Sequence, residues 1–205
     1  MTVHPRQRAV RAALARPAFV VPHLALGLAL SLGLALLPGR AQTQATTARA
    51  RPAASSIPTP ASILGWEPGT DRKLPTWQQV TTYFRALGKA SPRVSVRTLG
   101  KTVLGRDFIV AFIADPATLA NLEKYRQIQR KLLDPRLRSP GELPRLLDEA
   151  KNVILITSSI HSTEVGGFLT PFVLADRLAR GNSPEVRSIL QNTIIMLVPS
   201  QNPDG

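Results

Sequence analysis

The stretch Asn152-Val-Ile-Leu-Ile-Thr-Ser158, followed closely by His161-Ser-Thr-Glu164, decides how this chain is read. A short unbroken apolar run predicts a strand buried on both faces. It carries the chain inward and delivers an imidazole and a carboxylate, three residues apart, at its C-terminal end. Two such groups can hold one zinc ion from two sides. A second apolar run, Thr193-Ile-Ile-Met-Leu-Val198, leads into Pro199-Ser-Gln-Asn-Pro-Asp-Gly205.

Between the two runs, Phe168, Leu169, Phe172, Val173 and Leu178 follow helical spacing to about Arg180. Pro171 complicates this helix, because a proline inside it removes a hydrogen bond and crowds the preceding turn. Either the helix kinks there, or it starts at Thr170-Pro171 and Glu164 sits in an irregular first turn after Gly166-Gly167. Pro184–Gln191 predicts another short helix. Two apolar strands joined by helices form a βαβ unit, hence parallel strands with helices over the faces.

Upstream, Thr76 and Gln79 form a capping box for a helix carrying Trp77, Val80, Tyr83, Phe84 and Leu87, with Gly88 as its stop. Trp77 and Tyr83 are read as core. Val94–Leu99 alternates apolar and polar, Gly100-Lys-Thr-Val-Leu-Gly-Arg106 turns, and Phe108–Ala114 returns, which predicts a hairpin. Asp115 caps a helix with Pro116 at its first position, continuous through Leu119, Leu122, Tyr125, Ile128 and Leu132. A shorter helix is expected over Glu142–Ala150. The hairpin adds antiparallel strands, so the fold class is α/β with a mixed parallel and antiparallel central sheet flanked by helices. In such sheets ligands gather beyond the carboxyl ends of the strands, where His161 and the segment after Val198 both lie.

The domain organisation reads as a leader at residues 1–41, a linker at 42–60, and a folded part at 61–205. Arg6, Arg8, Arg11 and Arg16 precede the uncharged Ala18–Leu37 run, and small residues follow at Gly39-Arg-Ala41. This is the pattern of a cleaved secretory signal. The rival is an uncleaved membrane anchor, weakened by Pro22, His23, Gly27 and Gly33. Either reading places the remainder outside the cytoplasm, secreted or periplasmic. Residues 42–60 hold one large apolar residue, Ile57, too little to offset ordering entropy, so disorder is expected there until about Ile63.

The 205 residues carry a net charge of +13 and no cysteine, which excludes disulfides and thiolate metal sites. Residues 1–66 hold seven Arg and no acid, leaving 19 basic and 13 acidic side chains from 67 onward. The basic residues are scattered over helix faces without interleaved aromatics, which argues against a nucleic-acid partner. No Gly-x-Ser-x-Gly elbow supports a serine hydrolase, and no strand leads into a Gly-x-Gly-x-x-Gly loop.

His161 is the only His after His23. By itself a His-x-x-Glu pair is weak: the plain alternative is a hydrogen-bonded loop His and a Glu stabilising a helix N-terminus. Asn202-Pro-Asp-Gly205 by itself is an ordinary turn. Following neighbouring strands, the two fall side by side.

Together with the Gly100-Lys-Thr…Gly105-Arg106 turn, these elements resemble the zinc carboxypeptidases related to pancreatic carboxypeptidase A, from about Ile63 to Gly205. Gly65-Trp-Glu-Pro-Gly-Thr-Asp71 through Tyr125-Arg-Gln-Ile-Gln129 is closest to large secreted bacterial members. The resemblance implies an α/β/α sandwich, incomplete in this chain, and one zinc ion with His161 and Glu164 as two of its three protein ligands. It implies a peptide or peptide-like substrate cut at its C-terminal bond by metal-activated water. The third ligand, the Asn-Arg carboxylate clamp and the general base are expected beyond Gly205, so no catalytic residue is assigned here. Thr163 stands where pancreatic enzymes have an Arg. The alternatives are an amidase or deacylase of amino-acid conjugates or cell-wall peptides, and a non-catalytic envelope module or inactive fragment. The incomplete sheet is expected to leave an apolar face and an edge uncovered.

Overall fold

The computed structural model describes residues 56–205. The leader reading for residues 1–41 and most of the linker reading for 42–60 lie outside the described residues. Helix α1 (Pro60–Leu64) opens the fold, its Thr59 side chain capping the Ser62 amide and Gly65 closing it at φ +79°. Ile63, where folded structure was expected to start, lies inside this helix. Among the described residues, no helix is long and apolar enough to cross a membrane.

Helix α2 (Trp77–Ala90) starts at the predicted capping box, with both reciprocal bonds between Thr76 and Gln79 formed. It does not stop at Gly88 but runs to Ala90, with Ser91 as cap. Glycine ends a helix by taking a positive φ, and Gly88 does not take one. Its use is proximity instead: a Cβ there would lie 3.1 Å from Val96 Cγ2.

Strands β1 (Val94–Lys101) and β2 (Asp107–Ile113) form the predicted hairpin, with a register shift between Thr98 and Gly100. The single helix expected after Asp115 is two: α3 (Pro116–Ala120) and α4 (Leu122–Leu133). Asn121 breaks it, its side-chain amide donating to the Ala117 carbonyl and offering the backbone a competing bond. A 3₁₀ turn (Pro135–Leu137) and helix α5 (Leu143–Glu149) follow. Then come β3 (Asn152–Thr157), α6 (Val165–Arg180), α7 (Pro184–Asn192) and β4 (Thr193–Val198). Of the two readings of Pro171, a start at Thr170-Pro171 does not hold: α6 runs through it from Val165. Gly167, four residues earlier, accordingly has no amide partner at position 171.

The four strands lie in the order β1-β2-β4-β3. β1 and β2 are antiparallel, β2 and β4 are antiparallel, and β3 runs parallel to β4. One face, carrying Ile109, Ala111, Ile113, Ile195 and Leu197, packs on α2 and α6 through Tyr83, Phe84, Leu87 and Phe172. Tyr83 is fully buried, which raises its phenol pKa. On the opposite face Phe112, Ile194 and Met196 line a groove of about 290 Å³ with Tyr125 and Arg126 of α4.

β3 corrects one expectation. It was read as buried on both faces, yet Val153, Ile154 and Leu155 are 43%, 48% and 60% exposed. The strand pairs only with β4, so neither a neighbouring strand nor a covering helix screens it among the described residues.

Candidate metal centre

The topology dictates which loops meet. β3 and β4 are parallel, so the segments after Thr157 and after Val198 leave the same rim of the sheet. β2 runs opposite to β4, so the hairpin turn before Asp107 lies at that rim as well. Three sequence-distant motifs, the 100–106 turn, the His161 loop and the 202–205 turn, are thereby brought together.

His161 and Glu164 converge. Nδ1 of His161 lies 2.9 Å from Oε1 of Glu164. The second carboxylate oxygen accepts from the amides of Ile160 and His161 at 3.2 and 3.3 Å. Glu164 occupies the N-cap position of α6 but makes no capping bond to that helix. Its carboxylate turns back over its own loop, and His161 is hydrogen-bonded within that loop, as the plain alternative also expects. The imidazole, followed by the two amides, holds the Glu164 carboxyl below its usual pKa.

The pair fits a zinc ion in chemistry and in spacing. Imidazole nitrogen and carboxylate oxygen are both zinc donors, and two donors on one tetrahedral ion stand about 3.4 Å apart. Opening the observed contact by about half an ångström meets that requirement. Both side chains are accessible, His161 at 72% and Glu164 at 47%, and His161 lines a cleft of about 500 Å³ with Leu74, Trp77, Arg106, Phe168 and Asn202. No group of three or more His, Cys, Asp or Glu that would hold a metal exists among the described residues. No hydrogen bond is made by the second imidazole nitrogen among the described residues. A Cβ at Gly166 or Gly167 would meet nothing nearer than 3.7 Å.

The Asn202 turn lies against the His161 loop, as its position in the sequence suggests. Nδ2 of Asn202 donates to the Ile160 carbonyl at 3.0 Å, and the Ser200 hydroxyl donates to the Ser159 carbonyl at 3.0 Å. Asp204 was not singled out from sequence. Its Oδ1 accepts from the Thr102 hydroxyl at 2.6 Å and its Oδ2 from the Leu104 amide at 3.1 Å. Arg106 lies 3.9 Å from the Asp204 carboxylate and donates to the Pro203 carbonyl. The Thr102 hydroxyl, the Leu104 amide and Arg106 hold the Asp204 carboxyl below its usual range, against the opposing effect of burial.

The described residues form a mixed α/β sheet with a His-x-x-Glu pair at the rim of one strand. The zinc carboxypeptidase family model matches residues 80–205, and the chain belongs to that family. Solved structures similar to it include carboxypeptidase A from Helicoverpa armigera, at 17% identity and a TM-score of 0.46, over 71% of this chain and 31% of that one. A metallo-carboxypeptidase from Burkholderia cenocepacia is 21% identical with a TM-score of 0.43, over 62% of this chain and 27% of that one. The chain thus spans less than a third of these structures. No curated protein matches it.

Proposed function

We propose that this chain supplies the amino-terminal half of the metal centre of a secreted or periplasmic zinc carboxypeptidase, with His161 and Glu164 as two ligands of one zinc ion. The observation that carries the reading is the 2.9 Å approach of His161 Nδ1 to Glu164 Oε1 at the rim of β3, within the segment matched by the family. A bound zinc supplies Lewis-acid polarisation of a scissile carbonyl and acidifies water. The chain's own residues do the rest of what can be derived. The Ile160 and His161 amides orient the Glu164 carboxylate. The cleft bounded by Leu74, Trp77 and Phe168 gives an extended peptide an apolar wall beside His161. The peptide substrate and its cleavage at the C-terminal bond are drawn from family membership.

The test is metal titration of the 205-residue chain with cobalt(II) as a spectroscopic stand-in for zinc. Weak saturable binding is expected, since two protein donors are fewer than the three of a catalytic zinc site. His161→Ala should abolish it. Binding that survives His161→Ala unchanged sinks the assignment.

A further inference from the structure

The loop that carries His161 enters through a strained residue. Ser159 takes φ +44°, a left-handed conformation that costs an L residue free energy and persists only where surroundings enforce it. What enforces it comes from the strand next door. The Ser159 carbonyl accepts from the Ser200 hydroxyl at 3.0 Å and from the Gln201 amide at 3.1 Å. The next carbonyl, Ile160, accepts from Asn202. The 200–202 segment therefore acts as a clamp on the loop entrance.

Beyond β4 the Gln201 amide also donates to the Ser158 carbonyl at 2.9 Å, one tie to the neighbouring segment. Asp204 supplies a second, from the other side of the turn. Both its oxygens reach the hairpin turn, at Thr102 and Leu104, and Arg106 grips the adjacent Pro203 carbonyl. Gly205 closes the turn with its amide on the Asn202 carbonyl at 3.2 Å. A Cβ at 205 would stand 2.4 Å from Asn202 Nδ2, the atom engaged with Ile160. Asp204 makes no hydrogen bond to His161 or Glu164 among the described residues. Any influence on them passes through the turn.

We propose that Asp204 is a positioning residue: by fastening the Asn202 turn to the 102–106 hairpin, it holds Ser159 in its left-handed conformation and so keeps the His161 and Glu164 donors together. This rests on the reading of those two residues as metal ligands. Spatial continuity does not by itself establish coupling, so the test measures coupling directly.

Asp204→Ala and Thr102→Val, which removes the hydroxyl at the remote end of the anchor, are made in the full chain singly and together. Amide hydrogen exchange is followed at Ile160 and His161 and, as a reference, at Ile195 and Leu197 of β4. Each variant should speed exchange at Ile160 and His161 by about tenfold, the worth of one hydrogen bond, with the β4 amides unchanged. The double variant should exchange no faster at Ile160 and His161 than Asp204→Ala, because both break the Thr102–Asp204 bond; the other bond lost in Thr102→Val, from the Arg106 amide to the Thr102 hydroxyl, lies within the hairpin turn. Cobalt(II) affinity should fall about tenfold, as for other residues that orient ligands. Unchanged exchange at Ile160 and His161 overturns the proposal. So does a rise that β4 shares equally, which is what a merely structural role produces. If Asp204→Ala does not fold, Thr102→Val decides alone. A wild-type chain that takes up no cobalt overturns the metal reading, while the exchange result still decides the role of Asp204.

Discussion

The rings of Tyr83 and Phe172 meet with centroids 5.1 Å apart, tying α2 to α6 over one face of the sheet. α6 begins immediately after Glu164, so this contact fixes the helix that the His161 loop runs into. Phe172 also packs against Phe84 at 5.9 Å and is fully buried. Phe172→Ala should cost about 3–5 kcal/mol, through lost transfer energy and the cavity left behind. Urea denaturation followed by Trp fluorescence checks this; a loss below about 1 kcal/mol would show that the layer can collapse around the gap.

Gly88 offers a test of close approach between helix and strand. Replacing an interior helical Gly by Ala gains about 1 kcal/mol of helix propensity, but the new Cβ would press on Val96 Cγ2 at 3.1 Å. Gly88→Ala should therefore be near neutral. Gly88→Leu should destabilise by about 1–3 kcal/mol through overpacking. Adding Val96→Ala should relieve part of that loss. If Gly88→Leu is as stable as the parent, α2 does not lie as close to β1 as described.

The exposed side chains of β3 predict self-association. Val153, Ile154 and Leu155 are consecutive, so both faces of the strand present apolar surface beside a backbone edge that is unpaired among the described residues. Such edges template pairing with other chains. Light scattering on the 205-residue chain should show association that rises with concentration, and Leu155→Lys should reduce it. A strictly monomeric parent at high concentration would count against this.

Acid should weaken the α4–α5 region in a defined window. Lys131, then the Ser139 amide, holds the Glu142 carboxyl down to about 2, from an ordinary value of 4.5. The unfolded chain then binds the proton more readily than the folded one. The contribution is complete above about 4.5 and is lost as pH falls toward about 2. Glu142→Gln should flatten the fall in thermal midpoint over that window. An identical pH profile for both proteins would refute the assignment.

Much of the architecture was legible because local chemistry determines it. The Thr76–Gln79 box, the Gly100–Arg106 turn and the apolar run at 193–198 each report a hydrogen-bonding or burial requirement met within a few residues. Asn121 shows the limit. Its competing bond to Ala117 splits what apolar periodicity presents as one helix, because periodicity records which face is buried and not whether the backbone is continuous. Gly88 shows another: a stop signal and a close contact use the same residue, and only the neighbouring strand distinguishes them.

From sequence alone came the mixed sheet, its parallel βαβ unit and the pairing of His161 with Glu164, since strand pattern and a three-residue spacing are local properties. Tertiary structure alone decided that β3 stands exposed, that Glu164 folds back over its loop, and that Asp204 anchors the turn beside it. Those depend on strand order, which places chain segments about a hundred residues apart on one rim, and no local pattern encodes such a distance.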